Sequence, residues 1–171
     1  MDFITCLPKS KGKTTIMVVV DRLSKYAHFS PLAKGFTAES VAGVFARDNC
    51  RLHGIPTYII SDRDPVLLSS FWQELFCHKG TVLAHSTTYH PQSDDLNRIL
   101  QDYLWCYVGE NQLKWVDMLL WAELHYNTAT HSGLGTSSFE AVYRCNPPAL
   151  LDYVPRASKV STVDDTLTMR T

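Results

Sequence analysis

Two aspartates carry the chemistry that this sequence offers, and both lie on apolar, extended-looking segments. Ile59-Ile60-Ser61-Asp62-Arg63-Asp64-Pro65 reads as a buried strand, Tyr58 to Ile60, that ends at Asp62 and gives way to a proline-ended turn. Asp62 is therefore expected at a strand tip, held in position rather than merely solvated. Met1-Asp2-Phe3-Ile4-Thr5 reads as a second strand with Asp2 in its middle, alternating with Phe3 and its neighbours. Two carboxylates on neighbouring strands of one sheet supply hard oxygen ligands for a divalent cation.

The elements that must position these acids follow from the hydrophobic pattern. After a basic turn, Leu7 to Lys13, the β-branched run Thr14 to Asp21 suits a central strand. Lys25 to Leu32 alternates Tyr26, His28 and Ser30 with Ala27, Phe29 and Pro31, which predicts a third strand with one face buried. Thr37 then caps a helix through Val41, Val44, Phe45 and Leu52, with Gly54 past its end and Pro56 beyond. The strand Thr57 to Ile60 delivers Asp62. Ser69 or Ser70 starts the next helix, through Phe71, Trp72, Leu75 and Phe76 to Gly80, and Thr81 to Ala84 is a short fifth strand. From Asp95 on, Leu96, Ile99, Leu100, Tyr103, Leu104, Tyr107 and Val108 recur at helical intervals, with Asn97, Arg98, Gln101 and Asp102 on the opposite face. A helix from about Leu113 to Thr128 buries Trp115, Val116, Leu119, Leu120 and Tyr126, and a shorter one runs from Ser138 to Tyr143. The expected class is α/β, a mixed sheet of about five strands flanked by helices. One domain over 1–145 and a polar linker or partly disordered tail over 146–171 are expected.

Composition narrows the function classes. With 171 residues, 45% of them hydrophobic, the chain is sized for one globular core, and no apolar run approaches the length of a membrane span. No secretory pattern opens the sequence, which predicts an intracellular protein. Five cysteines spread singly argue against a disulfide framework or a structural zinc site, and His85 and His90 lack the cysteine partners of a zinc knuckle. Sixteen basic and seventeen acidic side chains leave a formal charge of -1, so attraction to nucleic acid must come from a local patch.

Taken together, MDFITCLPKSKGKTTIMVVVDRLSKYAHF, RLHGIP, SDRDPVLLSSFWQELF, TTYHPQSD, WAELHYNTATHSGLGTSSFEAVY and SKVSTVDD closely resemble the integrase catalytic core of gypsy-type LTR retrotransposons, from Met1 to about Asp165. The resemblance implies a ribonuclease-H-like fold and an Asp, Asp, Glu triad that binds two Mg²⁺ or Mn²⁺ ions. It also implies 3′-end trimming of element DNA and strand transfer into target DNA. Its expected partners are element-end and target DNA and further copies of the chain, as a homodimer or higher oligomer, with no membrane; a functional protein would act in the nucleus. By motif, Asp2 matches the first acid and Asp62 the second. Relatives also carry residues and a zinc-binding domain upstream, so the chain reads as an N-terminally truncated piece of a decayed element.

The third acid departs from the family pattern. His90-Pro91-Gln92-Ser93-Asp94 leads almost directly into Asp95-Leu96-Asn97-Arg98, and the Gly-Gln-Thr-Glu portion of the motif is missing. At the family's spacing the position falls on Arg98, which can neither ligate a cation nor lose its proton. Asp95 is the candidate substitute, ahead of Asp94 and Asp102, although a helix N-cap is the favoured reading of an aspartate there. Gln92, by its place in the motif, and Arg98, on a polar helix face, are the candidate DNA contacts. Impaired metal-dependent catalysis is the expectation, and the alternative is a non-enzymatic nucleic-acid-binding or dimerisation module that retains the fold. Asp64 is read as a turn cap, Arg63 as the partner of a nearby acid, and Asp21 as no ligand. The four tryptophans are read mostly as core, and Lys9, Lys11 and Lys13 as the solubilising charge of a hairpin turn.

Overall fold

The structure, a computed structural model, describes residues 1–85, 97–102, 104 and 112–147. Strand β2 (Lys13–Val20) lies at the centre of an antiparallel ladder between β1 (Asp2–Ile4) and β3 (Ala27–Ala33). Its run of β-branched residues is buried on both sides. Ile16 and Val18 enter one apolar cluster with Leu100, Leu104, Trp115, Leu119 and Tyr126, whereas Met17 enters another with Val41, Phe45, Ile59, Leu67, Trp72 and Phe76. The two-residue period of a strand thus divides the core into two halves, one on each face. Strand β4 (Tyr58–Ser61) pairs in parallel with β5 (Val82–His85), and the Met1 nitrogen donates to the Ile60 carbonyl at 2.7 Å, stitching the start of β1 to β4.

Helix α1 (Ala38–Phe45) starts at Thr37 through a reciprocal capping box with Ser40. It runs into a π-helical segment, Ala46–Cys50, and then into α2 (Arg51–His53), which Gly54 ends at φ 81°. The wider π turns break the 3.6-residue period. Leu52, seven residues past the buried Phe45, is therefore rotated out to 54% exposure rather than buried as its spacing predicts. Ser69 caps α3 (Ser70–Cys77), whose Trp72 and Phe76 are buried while Phe71 is exposed. Residues 97–102 and 104 are helical (α4), with Leu100 and Leu104 buried and Ile99 turned outward.

Helix α5 (Trp115–Thr128) packs on β3 and solves that strand's edge problem. Asn127 accepts from the Ala27 N–H and donates to the Ala27 carbonyl, both at 2.8 Å, and Glu123 Oε2 accepts from the Phe29 N–H at 2.7 Å. The outward-facing groups of Ala27 and the Phe29 N–H are thereby paired instead of left for another chain. This also explains a difference from the sequence reading: β3 is buried on both faces from Ala27 to Ser30, not on one, because α5 covers it. Leu120, expected in the core, points away at 74% exposure. A hairpin of two short strands, β6 (Thr130–His131) and β7 (Thr136–Ser137), leads into α6 (Ser138–Tyr143). Among the described residues five strands lie in the two main ladders, as expected, and this small hairpin is additional. The expected tail lies outside the described residues from residue 148 on.

Candidate functional site

The fold brings Asp2 and Asp62 together across sixty residues of chain. Asp2 sits on β1 opposite Val18, where its Oδ1 accepts from the Phe3 N–H at 2.8 Å. Asp62 is the first residue after β4, and both line one cleft with Arg63 and Asn97. Asp62 is pushed above the usual carboxylate range, first by burial and then by the negative charge of Asp2. The backbone N–H of Asp64 acts in the opposite sense by donating to Asp62. Two acids held this close favour one shared proton or a cation between them, since both cannot be ionised cheaply in partial burial.

Asn97 completes this group. Its Nδ2 donates to Asp2 Oδ2, and its Oδ1 is buried and accepts no hydrogen bond among the described residues. The sequence reading placed Asn97 on the outward polar face of its helix, yet positions 97, 100 and 104 form one stripe, and Leu100 and Leu104 are the buried ones. That spacing was the available signal. Arg98, the next residue, is exposed on α4. Gln92 and Asp95, with Asp94 and His90, lie outside the described residues. Among the described residues no group of three histidine, cysteine, aspartate or glutamate side chains is placed to hold a metal ion.

The remaining acids near the site have local duties. Asp64 Oδ1 accepts from the Val66 N–H at 2.8 Å and caps the turn after Pro65, as expected. Asp21 Oδ2 accepts from both the N–H and the hydroxyl of Ser24 at 2.7 Å, closing the turn between β2 and β3. Trp72 and Trp115 are core residues, but Trp121 is 37% exposed. Lys11 pairs with Asp117 on α5. A polar pair that the sequence did not announce lies beside the cleft. His28 Nε2 is 2.8 Å from His53 Nε2, and His28 Nδ1 is 3.2 Å from Glu123 Oε1, which ties the end of α2 to β3 and α5.

Layered ladders with two acids converging at adjoining strand ends define an α/β protein of the ribonuclease-H-like class. Solved structures agree on the fold. The HTLV-2 integrase catalytic core domain in complex with magnesium matches with a TM-score of 0.64 at 22% identity, over 81% of this chain and 92% of that one. The BIV integrase catalytic core matches at 0.59 and 19% identity, over 84% and 93%. A simian T-cell lymphotropic virus intasome in complex with PP2A regulatory subunit B56 gamma matches at 0.69 and 19%, over 93% and 58%.

In sequence, the chain is 38% identical over 152 residues, 86% of its length, to the Transposon Tf2-3 and Tf2-4 polyproteins of Schizosaccharomyces pombe. It spans 11% of the length of those polyproteins. No protein-family model matches it. The chain shares the fold of retroviral integrase catalytic cores and is homologous to a segment of the Tf2 retrotransposon polyproteins. No helix among the described residues is long and apolar enough to cross a membrane.

Proposed function

We propose that this chain is the catalytic-core portion of a gypsy-type retrotransposon integrase, over about residues 1–145, with Asp2 and Asp62 as the acids facing a divalent cation and a DNA phosphodiester. The observation that carries this reading is the convergence of Asp2 and Asp62, from separate strands, with Asp62 raised by burial and by its neighbour's charge. The donor set fits Mg²⁺ or Mn²⁺: it is made of oxygens and it lies in a cleft. When bound, such a cation lowers the cost of forming the attacking oxygen and stabilises the leaving one. The chain's own residues position that chemistry. Asp2 is fixed by the Phe3 N–H and the Asn97 amide, and Asp62 by the Asp64 N–H. Asp62 also takes up or releases a proton at its carboxyl as the charge beside it changes. Exposed Arg98 and the motif residue Gln92 are the proposed contacts to the DNA backbone.

Catalysis is reduced relative to a complete triad, because the Gly-Gln-Thr-Glu stretch is missing from the motif and Arg98 stands at the family's spacing. Loss of one cation ligand removes about 4 kcal/mol of transition-state stabilisation, on the order of a thousandfold in rate. The test incubates the 171-residue chain with Mn²⁺ and oligonucleotides of an element end, and follows 3′ trimming and strand transfer. Residual trimming that Asp62→Asn abolishes is the expected result. Robust turnover would overturn the impairment, and a Mn²⁺-independent nuclease would overturn the site. The same missing stretch favours a second reading, a nucleic-acid-binding or dimerising module. Metal-indifferent oligonucleotide binding, or a stable dimer with no trimming at all, would select it.

A further inference from the structure

We infer that His28 and His53 form a proton-operated latch: one shared proton docks the end of α2 onto β3 and α5, and a second positive charge undocks it. The latch uses none of the residues assigned to the cation, and it stands whether or not Asp2 and Asp62 bind metal. His28 Nε2 lies 2.8 Å from His53 Nε2, while His28 Nδ1 lies 3.2 Å from Glu123 Oε1. An ionised Glu123 can only accept, and its other oxygen already takes the Phe29 N–H, so His28 Nδ1 carries a proton. The facing nitrogens then have two arrangements that close the contact. Either a neutral His53 donates its Nε2 proton to the bare His28 Nε2, or a charged His28 donates to the bare nitrogen of a neutral His53. Both place one proton between the rings. With both rings charged, two N–H groups face each other across a gap that admits one hydrogen, and the contact must open.

The surroundings make α2 depend on this contact. None of Arg51, Leu52 and His53 is buried, and Leu52 and Ile55 are about half exposed, so little apolar burial holds the segment. Its fixed points lie on either side. Ser30 Oγ donates to Asp48 Oδ2 at 2.7 Å before it, and Thr81 Oγ1 donates to the Pro56 carbonyl at 2.8 Å after it. Residues 51–55, with Gly54 at φ 81° among them, can therefore lift without disturbing either apolar cluster. The groups facing the pair tolerate one positive charge. Glu123 of α5 favours it on His28, and Asp21 of the turn before β3 favours it on His53, but burial first and the His28 charge second hold His53 below the ordinary imidazole range. Asp48 of the π-helical segment is within reach of the His28 charge and is already paired with Arg47, while Arg51 turns back to the Arg47 carbonyl. Tyr26 of β3 packs its ring 5.3 Å from His28, 6.0 Å from His53 and 6.0 Å from Tyr143 of α6. The unfolded or undocked segment therefore takes up its proton first as pH falls, so docking weakens toward acid, opposite in sign to Asp62. His53, Gly54 and Pro56 line the same cleft as Asp2 and Asp62, so undocking α2 moves one wall of that cleft.

Amide hydrogen exchange of the full 171-residue chain, corrected for the intrinsic effect of pH, tests the latch. Between about pH 7.5 and about pH 5.5, protection of residues 51–55 is expected to fall about tenfold or more, while that of β2 and α5 holds. His53→Gln distinguishes a latch from a passive contact. The glutamine amide can donate to a neutral His28 or accept from a charged one, so protection of 51–55 should become independent of pH. His53 is exposed, so the substitution spares the core, and His53→Ala should leave 51–55 weakly protected at both pH values. Unchanged protection in the parent, or a pH dependence that survives His53→Gln, overturns the latch. Loss that spreads to β2 and α5 at the same pH overturns it too, as global acid unfolding. Protection at neutral pH that EDTA removes would mean that the two nitrogens hold a metal ion and not a proton, and would equally overturn it.

Discussion

At the scale of single residues, Asp62 shows what a site of this kind costs the fold. Its carboxyl is raised by burial and by Asp2, so ionising it is harder in the folded chain than in the unfolded one. The sign is that of a group with folded value above unfolded: as pH rises through this range the unfolded chain releases its proton first, and stability falls. Asp62→Asn should therefore melt no lower than the parent without metal at neutral pH, and its melting temperature should lose part of the parent's mild-acid pH dependence. In the parent, cation affinity should rise with pH through the same range, because binding needs the ionised acid. Melting curves between mildly acidic and neutral pH, with and without Mn²⁺, check both trends. Lower stability of Asp62→Asn at neutral pH would show that its hydrogen bonds outweigh the repulsion. Asp48 runs the other way. Arg47 chiefly, with Ser30, holds it below the usual range against the pull of burial, so its contribution is present above the unfolded value and is lost as pH falls through the folded one.

At the scale of elements, the docking of α5 on β3 depends on a side chain that hydrophobic periodicity does not reveal. Asn127 is buried and grips both backbone groups of Ala27. Replacing it with alanine leaves a buried donor and acceptor unpaired, at a cost of about 2–4 kcal/mol. Urea unfolding checks this, and a loss below about 1 kcal/mol would mean that water enters to replace the amide. The contrast between Phe45 and Leu52 tests the π-helical break: Phe45→Ala should cost about 3–5 kcal/mol and Leu52→Ala well under 1, although both belong to one apolar stripe on paper. These elements mark where the sequence was legible. Thr37, Ser69, Gly54 and Gly80 punctuate the helices where capping chemistry requires, and the strand ends that carry Asp2 and Asp62 follow from β-branched runs. Leu52, Leu120 and Asn97 were misread for one reason. A periodic pattern gives relative angles around a helix, but the absolute phase is set by a π turn in the first case and by what packs across the interface in the other two. The His28–His53 contact was illegible because nothing in the spacing of two residues on different elements fixes how close their rings come.

At the scale of the whole molecule, β2 is the wall between two cores, and this governs how the protein comes apart. Trp72 lies in the cluster of α1, α3 and β4, Trp115 in the cluster of α4, α5 and β3, and each is almost fully buried. If each face were an independent unit, the two tryptophans would report separate transitions. Adjacent residues of one strand, Ile16 and Met17, point into opposite clusters, so neither face can loosen without withdrawing the backbone that supports the other. Ile16→Ala and Met17→Ala should each cost about 2–5 kcal/mol. In single-tryptophan variants that retain either Trp72 or Trp115, the denaturant midpoints should coincide and shift together whichever face carries the substitution. Separate midpoints would show that the faces unfold one at a time. The acidic pair would then be vulnerable to partial opening, since Asp2 and Asp62 are supplied by β1 and the end of β4, the two ladders that the bond from the Met1 nitrogen to Ile60 joins. A single shared transition means that the geometry of the site persists until the whole fold is lost, and cation-induced stabilisation should then shift both tryptophan signals equally.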